Sequence, residues 1–250
     1  MQLLRVLHAA FPPPLLLRPY TVLPTGRACG LIEIVTGAAS LHHVKKRAAA
    51  LATGGGSSLP AIFEARYGAD PQALARARTV FLHSLAAYSV ATYLLGIRDR
   101  HNGNILLADD GALVHIDFGF ALGLAPGGPA GPETGAPFKL SAEMVEVLGG
   151  PMSDLFRLEF PRLCTLALQA ARTRAHTLLT LAEVMSERPS LKCFVGAGAR
   201  PVDGLRARLM LDVPEAELPA RVQVLIDRSY DALGTNAYDR YQRLRNGIRA

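Results

Sequence analysis

Lysine is scarce in this 250-residue chain: its 27 basic residues include only Lys45, Lys46, Lys139 and Lys192 as lysines. A phosphate cradle of the G-x-x-x-x-G-K type needs a lysine directly behind its glycines. The run Gly54 to Gly56, inside "ATGGGSSLP", has neither that spacing nor G-x-G-x-x-G, which leaves it as a flexible surface linker. Cysteine is equally sparse. Cys29, Cys164 and Cys193 show no metal-ligand or disulfide-framework spacing, which points to a reducing compartment and to three small buried hydrophobes. Long apolar runs are missing too. The first twenty residues are interrupted by Pro12, Pro13 and Pro14 and make a poor secretory signal. Residues 80 to 97, "VFLHSLAAYSVATYLLGI", barely reach spanning length and carry His83, Ser84, Tyr88 and Ser89. With the amphipathic "DPQALARART" before them, they fit a helix buried on all sides better than a membrane span. There is no internal repeat.

What is present describes a packed globular protein, either one large domain or a small pair: 50% of residues are hydrophobic and 19% charged. The net charge of +6 permits an anionic partner such as a phosphate or an acidic membrane, and serves equally to solvate a surface. Residues 15 to 24 and 30 to 36 predict short buried β-strands. At Asp70 the pattern turns helical, with Asp as N-cap, Pro71 in the first turn and an Ala- and Leu-rich run to Gly96. Strands return over 105 to 116. Beyond 140 the periodicity predicts helices near 141–148, 153–187, 202–211, 215–233 and 236–247.

The chemistry concentrates in "DRHNGNILLADDGALVHIDFG", residues 99 to 119. Two apolar runs, Ile105 to Leu107 and Ala112 to Ile116, flank Asp109-Asp110-Gly111, a hairpin turn signal. A hairpin returns the chain to its starting edge, so Asn104 and Asp117 should end side by side and offer an amide oxygen and a carboxylate. Hard oxygen ligands of this kind, close to a phosphate, suit Mg²⁺. Phosphotransferases of the protein-kinase type follow an Asp by an Asn five positions later and then a D-F-G triplet. Asp99 and Asn104 show that step, and Asp117-Phe118-Gly119 supplies the triplet. The protein-kinase order His-Arg-Asp is reversed here to Asp99-Arg100-His101, which sets an imidazole where it can take a proton from an attacking hydroxyl. Arg100 is left to steady the loop or a phosphate, and His115 to pack or hydrogen-bond.

D-R-H-x-x-N followed by D-F-G resembles the phosphatidylinositol 3-/4-kinase family, over most of the chain. Within the family the likeness is greatest to the type III phosphatidylinositol 4-kinases, the beta form in particular. It is carried by "GLIEIVTGAASLHHVKK", "DRHNGNILL", "HIDFGFALG", "PFKLSAEMVEVLGG" and "YDRYQRLRNGI". The resemblance implies an α+β, protein-kinase-like catalytic fold, mainly the helical C-lobe with a remnant of the N-lobe. Residues 1–36 would be the end of the N-lobe and the hinge, and 37–250 the C-lobe. The catalytic loop would run over 99–107 and the activation loop over 117–140. It further implies adenine held by the Glu33 carbonyl and Val35 N–H with Ile32 behind, Ile116 among the nucleotide contacts, and Mg²⁺ (with Mn²⁺ as the alternative) on Asn104 and Asp117. His101 would accept the proton, and Asp99 would orient His101 or the substrate hydroxyl.

The implied reaction moves the γ-phosphoryl of ATP in line onto the 4-hydroxyl of phosphatidylinositol. A loop receiving a lipid that is already phosphorylated should carry several basic residues. This one has Lys139 alone, which favours the unphosphorylated lipid. The implied partners are ATP and phosphatidylinositol in a cytosolic membrane face, and no nucleic acid. The place is cytoplasmic and peripheral to Golgi-type or plasma membranes, with the C-terminal "NAYDRYQRLRNGIRA" as a candidate interfacial helix. The family's glycine-rich loop and strand lysine, expected upstream of the hinge, have no match here, so the chain is expected to be an N-terminally truncated form. A catalytically impaired binding module and a related Ser/Thr protein kinase are the alternatives.

Overall fold

A computed structural model describes residues 1–26, 29–51, 56–126, 135–187, 191–195 and 200–249. In chain order the elements are α1 (Gln2–Ala10), β1 (Val22–Gly26), β2 (Cys29–Ile32), β3 (Ala38–Ser40), α2 (Leu41–Leu51), α3 (Leu59–Tyr67) and α4 (Pro71–Leu94). There follow β4 (Ile105–Ala108), β5 (Leu113–His115), α5 (Ala142–Val147), α6 (Phe160–Arg172), α7 (Ala175–Glu187), α8 (Arg200–Arg208), α9 (Leu218–Ser229) and α10 (Leu233–Asn246). The architecture is helix-rich α+β with two small antiparallel sheets, β1-β2 and β3-β4-β5.

Helix α4 organises the molecule. Asp70 caps it, its carboxylate accepting from Gln72 N at 2.8 Å, and Pro71 fills the first turn where a missing N–H costs nothing. From Phe81 onward almost every residue is buried, including Ser84, Tyr88 and Ser89. Each of the first two hydroxyls has work there. Ser84 Oγ accepts from Leu113 N at 2.8 Å, which fastens β5 to the helix, and Tyr88 Oη bonds the backbone of Arg18. Among the described residues no helix is long and apolar enough to cross a membrane.

The hairpin stands where its turn signal placed it. β4 pairs β5 in the register Ile105↔His115 and Leu107↔Leu113, and β3, which the sequence pattern did not reveal, adds to the open edge of β4. Gly111 at φ +94° makes the turn, and a Cβ built there would lie 2.7 Å from the Ala77 carbonyl oxygen of α4. Gly111→Ala is therefore expected to lose about 2 kcal/mol or more of stability, from a strained backbone and an unyielding neighbour. A chemical-denaturation midpoint equal to that of the parent would contradict this.

Several expectations need correction. Residues 15–21 form no strand: Pro19 lacks a donor, and the segment instead lies on α4, with Leu16 N bonded to His83 O at 3.3 Å and Leu15 and Leu17 in the core. The second strand stops at Ile32. Both strands of this sheet are exposed along their whole length rather than buried. Cys29 is exposed and Cys193 intermediate, so only Cys164 behaves as a buried hydrophobe. The linker assigned to 52–60 ends earlier, since Ser58 Oγ caps α3, and Gly54 and Gly55 lie outside the described residues. The apolar start of the chain is helix α1, with Leu3, Leu4 and Leu7 buried. The helix predicted over 153–187 is divided between α6 and α7 at Thr173 and Arg174, after an opening π turn at Leu155–Glu159.

Candidate active site

Residues 99–104 and 116–119 meet at the open end of the β4-β5 hairpin. Ile116 N donates to Asn104 O at 3.0 Å, which carries the ladder one step beyond the strands, and Asp117 is the next residue. Asn104 is buried. Its Nδ2 donates to Asp99 O at 2.9 Å and approaches Asp99 Oδ2 at 3.4 Å, so the oxygen is what this amide can offer a cation. Asp117 is exposed, and its Oδ1 accepts from Gly119 N at 3.2 Å. Asp99 and Asp117 both hold left-handed backbones, φ +64° and +54°, a conformation that costs a side-chain-bearing residue about 1 kcal/mol or more. Strain of that kind persists only where the surroundings impose it.

Arg100 imposes much of it. It is buried at 3% exposure, with Nε on Arg98 O at 2.9 Å, Nη1 on Ile116 O at 2.7 Å and Nη2 on Asp117 O. Its guanidinium also sits 5.6 Å from the centre of the Phe118 ring. Arg100 thus steadies the loop, binding the D-R-H turn to the backbone of the D-F-G triplet. On the other side Tyr20 bonds the Asp117 backbone and stacks on Phe118 at 6.2 Å.

His101 Nε2 faces Asp99 Oδ1 at 3.7 Å, while Nδ1 accepts from Gly103 N at 3.0 Å. Burial holds the imidazole below its ordinary pKa. Asp99 opposes this, Lys139 and Arg100 add to it, and Asp239 opposes it again. Neutral near pH 7 and accepting at Nδ1, the ring carries its proton at Nε2, toward Asp99. His115 is enclosed, stacked on Tyr88 at 4.5 Å, and burial forces its pKa far down, so it packs as a neutral ring.

Other candidate residues have surroundings different from those expected. Ile32, Glu33 and Val35 belong to the β1-β2 ribbon and its exit. Glu33 engages Thr21 twice, by N–H to Thr21 O at 2.9 Å and by carboxylate to Thr21 N at 2.6 Å, and Ile32 is 68% exposed instead of backing a closed pocket. Lys139 is not the free cation expected of a headgroup loop. Its ammonium is buried on Asp239, 2.8 and 2.7 Å from the two carboxylate oxygens, with Asn102 Oδ1 at 3.3 Å. Residues 127–134 of the loop lie outside the described residues.

Sequence reasoning missed the partners from α10. Tyr238 Oη donates to Asp99 Oδ1 at 2.5 Å, Asp239 takes Lys139, and beyond the helix Arg249 O and N bond Asn102 Nδ2 and His42 Nδ1. The stretch "YDRYQRLRNGI" contained Tyr238 and Asp239, but only the fold shows what they meet.

The profile of the family described as "Phosphatidylinositol 3- and 4-kinase" matches residues 57–194. Among curated proteins the chain is similar to "Phosphatidylinositol 4-kinase" of Dictyostelium discoideum, 44% identical over 238 residues, covering 94% of this chain and 19% of that protein. It is 38% identical to "Phosphatidylinositol 4-kinase beta 2" of Arabidopsis thaliana and 38% to "Phosphatidylinositol 4-kinase beta" of Xenopus laevis. Each covers 94% of this chain, with 21% and 28% of those proteins matched. The chain therefore spans no more than 28% of the length of these relatives.

Proposed function

The chain belongs to the phosphatidylinositol 3- and 4-kinase family, whose domain has a kinase-like fold, and from that premise we propose that it works in transferring the γ-phosphoryl of ATP to the 4-hydroxyl of phosphatidylinositol. The observation that carries this reading is the junction at the end of the hairpin. There the Asn104 carbonyl takes the N–H of Ile116, the residue before Asp117, on a chain 36–44% identical to proteins named phosphatidylinositol 4-kinase. Residues 1–36 are assigned to the end of the N-lobe and the hinge, 37–250 to the C-lobe, 99–107 to the catalytic loop and 117–140 to the activation loop.

The donor set fits a hard divalent cation: one amide oxygen and one carboxylate, no soft ligand, and room for retained waters because Asp117 is exposed. Asn104 and Asp117 would hold Mg²⁺, which would supply positive charge to offset that of the transferring phosphoryl group. Mn²⁺ offers the same coordination. The N–H of Val35 and carbonyl of Glu33 would receive the adenine edge, with Ile32 and Ile116 as apolar contacts. Arg100 keeps the two loops in register. Asp99 orients His101, and the imidazole accepts the proton of the attacking hydroxyl. To do so at Nε2 the ring must hold its own proton at Nδ1 and release Gly103 N–H. That rearrangement is local and ends with a cation facing the Asp99 carboxylate.

Work at a cytosolic membrane face follows from a substrate that stays in the bilayer. The outer side of α10 supports it, since Leu233 and Leu244 are 87% and 88% exposed on the helix that carries Arg240, Arg243 and Arg245. Incubating the intact protein with γ-labelled ATP should put label on phosphatidylinositol vesicles and none on Ser/Thr peptides. Label on peptide alone overturns the lipid assignment.

A further inference from the structure

Helix α10 places two consecutive side chains on two different loops of the site. Asp239 holds Lys139, next to the end of the activation segment, and Tyr238 reaches Asp99 from 139 residues away in sequence. Tyr238 is 3% exposed and Gln242, one turn on, is 6% exposed. Gln242 Nε2 donates to Tyr238 Oη at 2.6 Å, so that oxygen is the acceptor there. The single phenolic proton is then free to point at Asp99 Oδ1, 2.5 Å away. Asp99 is the strained left-handed residue whose carbonyl and Oδ2 receive the Asn104 amide, and whose Oδ1 faces His101. A hydroxyl bonded to a carboxylate makes one of the stronger hydrogen bonds available to a side chain.

We propose that Tyr238 is a positioning residue for phosphoryl transfer: its hydroxyl fixes the Asp99 carboxylate, and through Asp99 it fixes the amide of Asn104. The proposal rests on the lipid-kinase reading. It differs from a packing role because the ring alone would satisfy packing. Tyr238 meets no reacting atom itself, and its effect passes through Asp99.

Tyr238→Phe in the intact protein removes the hydroxyl and keeps the ring. The expected result is a kcat about tenfold lower or less, as loss of a hydrogen bond to a charged group implies. KM for ATP should stay at the parental value, and the thermal midpoint should fall by only a few degrees, as loss of one buried hydrogen bond implies. In an Asp99→Asn background the same change should cost nothing further. A second readout needs no turnover: hydrogen exchange at Asn104 N–H, bonded to His101 O, should speed up about tenfold while α6 amides stay unchanged. Parental kcat with parental exchange overturns the proposal, as does an equal loss in both backgrounds or a rise in exchange that extends to the α6 amides. A parent protein that labels no phosphatidylinositol defeats the lipid-kinase reading instead, and exchange at Asn104 then decides the role of Tyr238 alone.

Discussion

Replacing Asp117 by Asn is expected to lower phosphoryl transfer by about a thousandfold, near 4 kcal/mol of transition-state stabilisation, with the fold intact. The substitution isolates charge because the structure gives Asp117 few other duties. The side chain is exposed, and its one described bond, Gly119 N to Oδ1, suits an amide oxygen equally well. Its φ of +54° lies where Asn is the most tolerated residue after Gly. The backbone stays fastened by Arg100 and Tyr20, neither of which touches the carboxylate oxygens to do so. What changes is one full negative charge, and with it the hold proposed for a divalent ion. The Mg²⁺ concentration giving half-maximal rate should rise in parallel. Asn104→Ala is a poorer test, since it also releases Asp99. A kcat within threefold of the parent, at saturating ATP and an unchanged thermal midpoint, would remove Asp117 from the metal site.

The parts of this molecule that could be read in advance are those whose causes are local in sequence. Asp109-Asp110-Gly111 states its turn by itself, and the two apolar runs beside it have no other partner as near. Asp70 and Pro71 likewise announce the start of α4, and the polar residues along it signal a crowded protein interior rather than lipid. Residues 15–21 open on an apolar run that suits a strand, but what they meet is α4 and not another strand. The acceptors concerned are His83 O and Tyr88 Oη, some 70 residues on, and no pattern within the segment encodes them. Ile32 shows the converse failure. An apolar run predicts burial, yet burial requires a covering element, and both strands of β1-β2 are exposed along their whole length. For Lys139 the sequence shows a lone lysine in its loop and not the group that it meets. Its counter-charge arrives from α10.

That counter-charge leads to the largest stability effect expected of a single side chain here. Asp239→Ala should cost about 3–5 kcal/mol, because it strands an ammonium whose side chain is only 3% exposed. The mutant would fail by leaving a charge unpaired, so removing both charges should rescue it. Lys139→Met with Asp239→Leu fills similar space with apolar groups and should recover stability to within about 2 kcal/mol of the parent, the remainder being Asn102 Oδ1 deprived of its donor. The rescued double variant then separates two roles for Lys139 that the single variants confound. An ammonium that serves the fold alone can be lost without weakening lipid binding, and KM for phosphatidylinositol should stay within about threefold of the parent. An ammonium that leaves Asp239 to meet the headgroup phosphate cannot be spared, because a charge-assisted bond to phosphate carries roughly tenfold or more in affinity. A stable double variant whose KM for the lipid rises tenfold would return Lys139 to the substrate loop. A KM left unchanged makes it the pin that fastens that loop to α10.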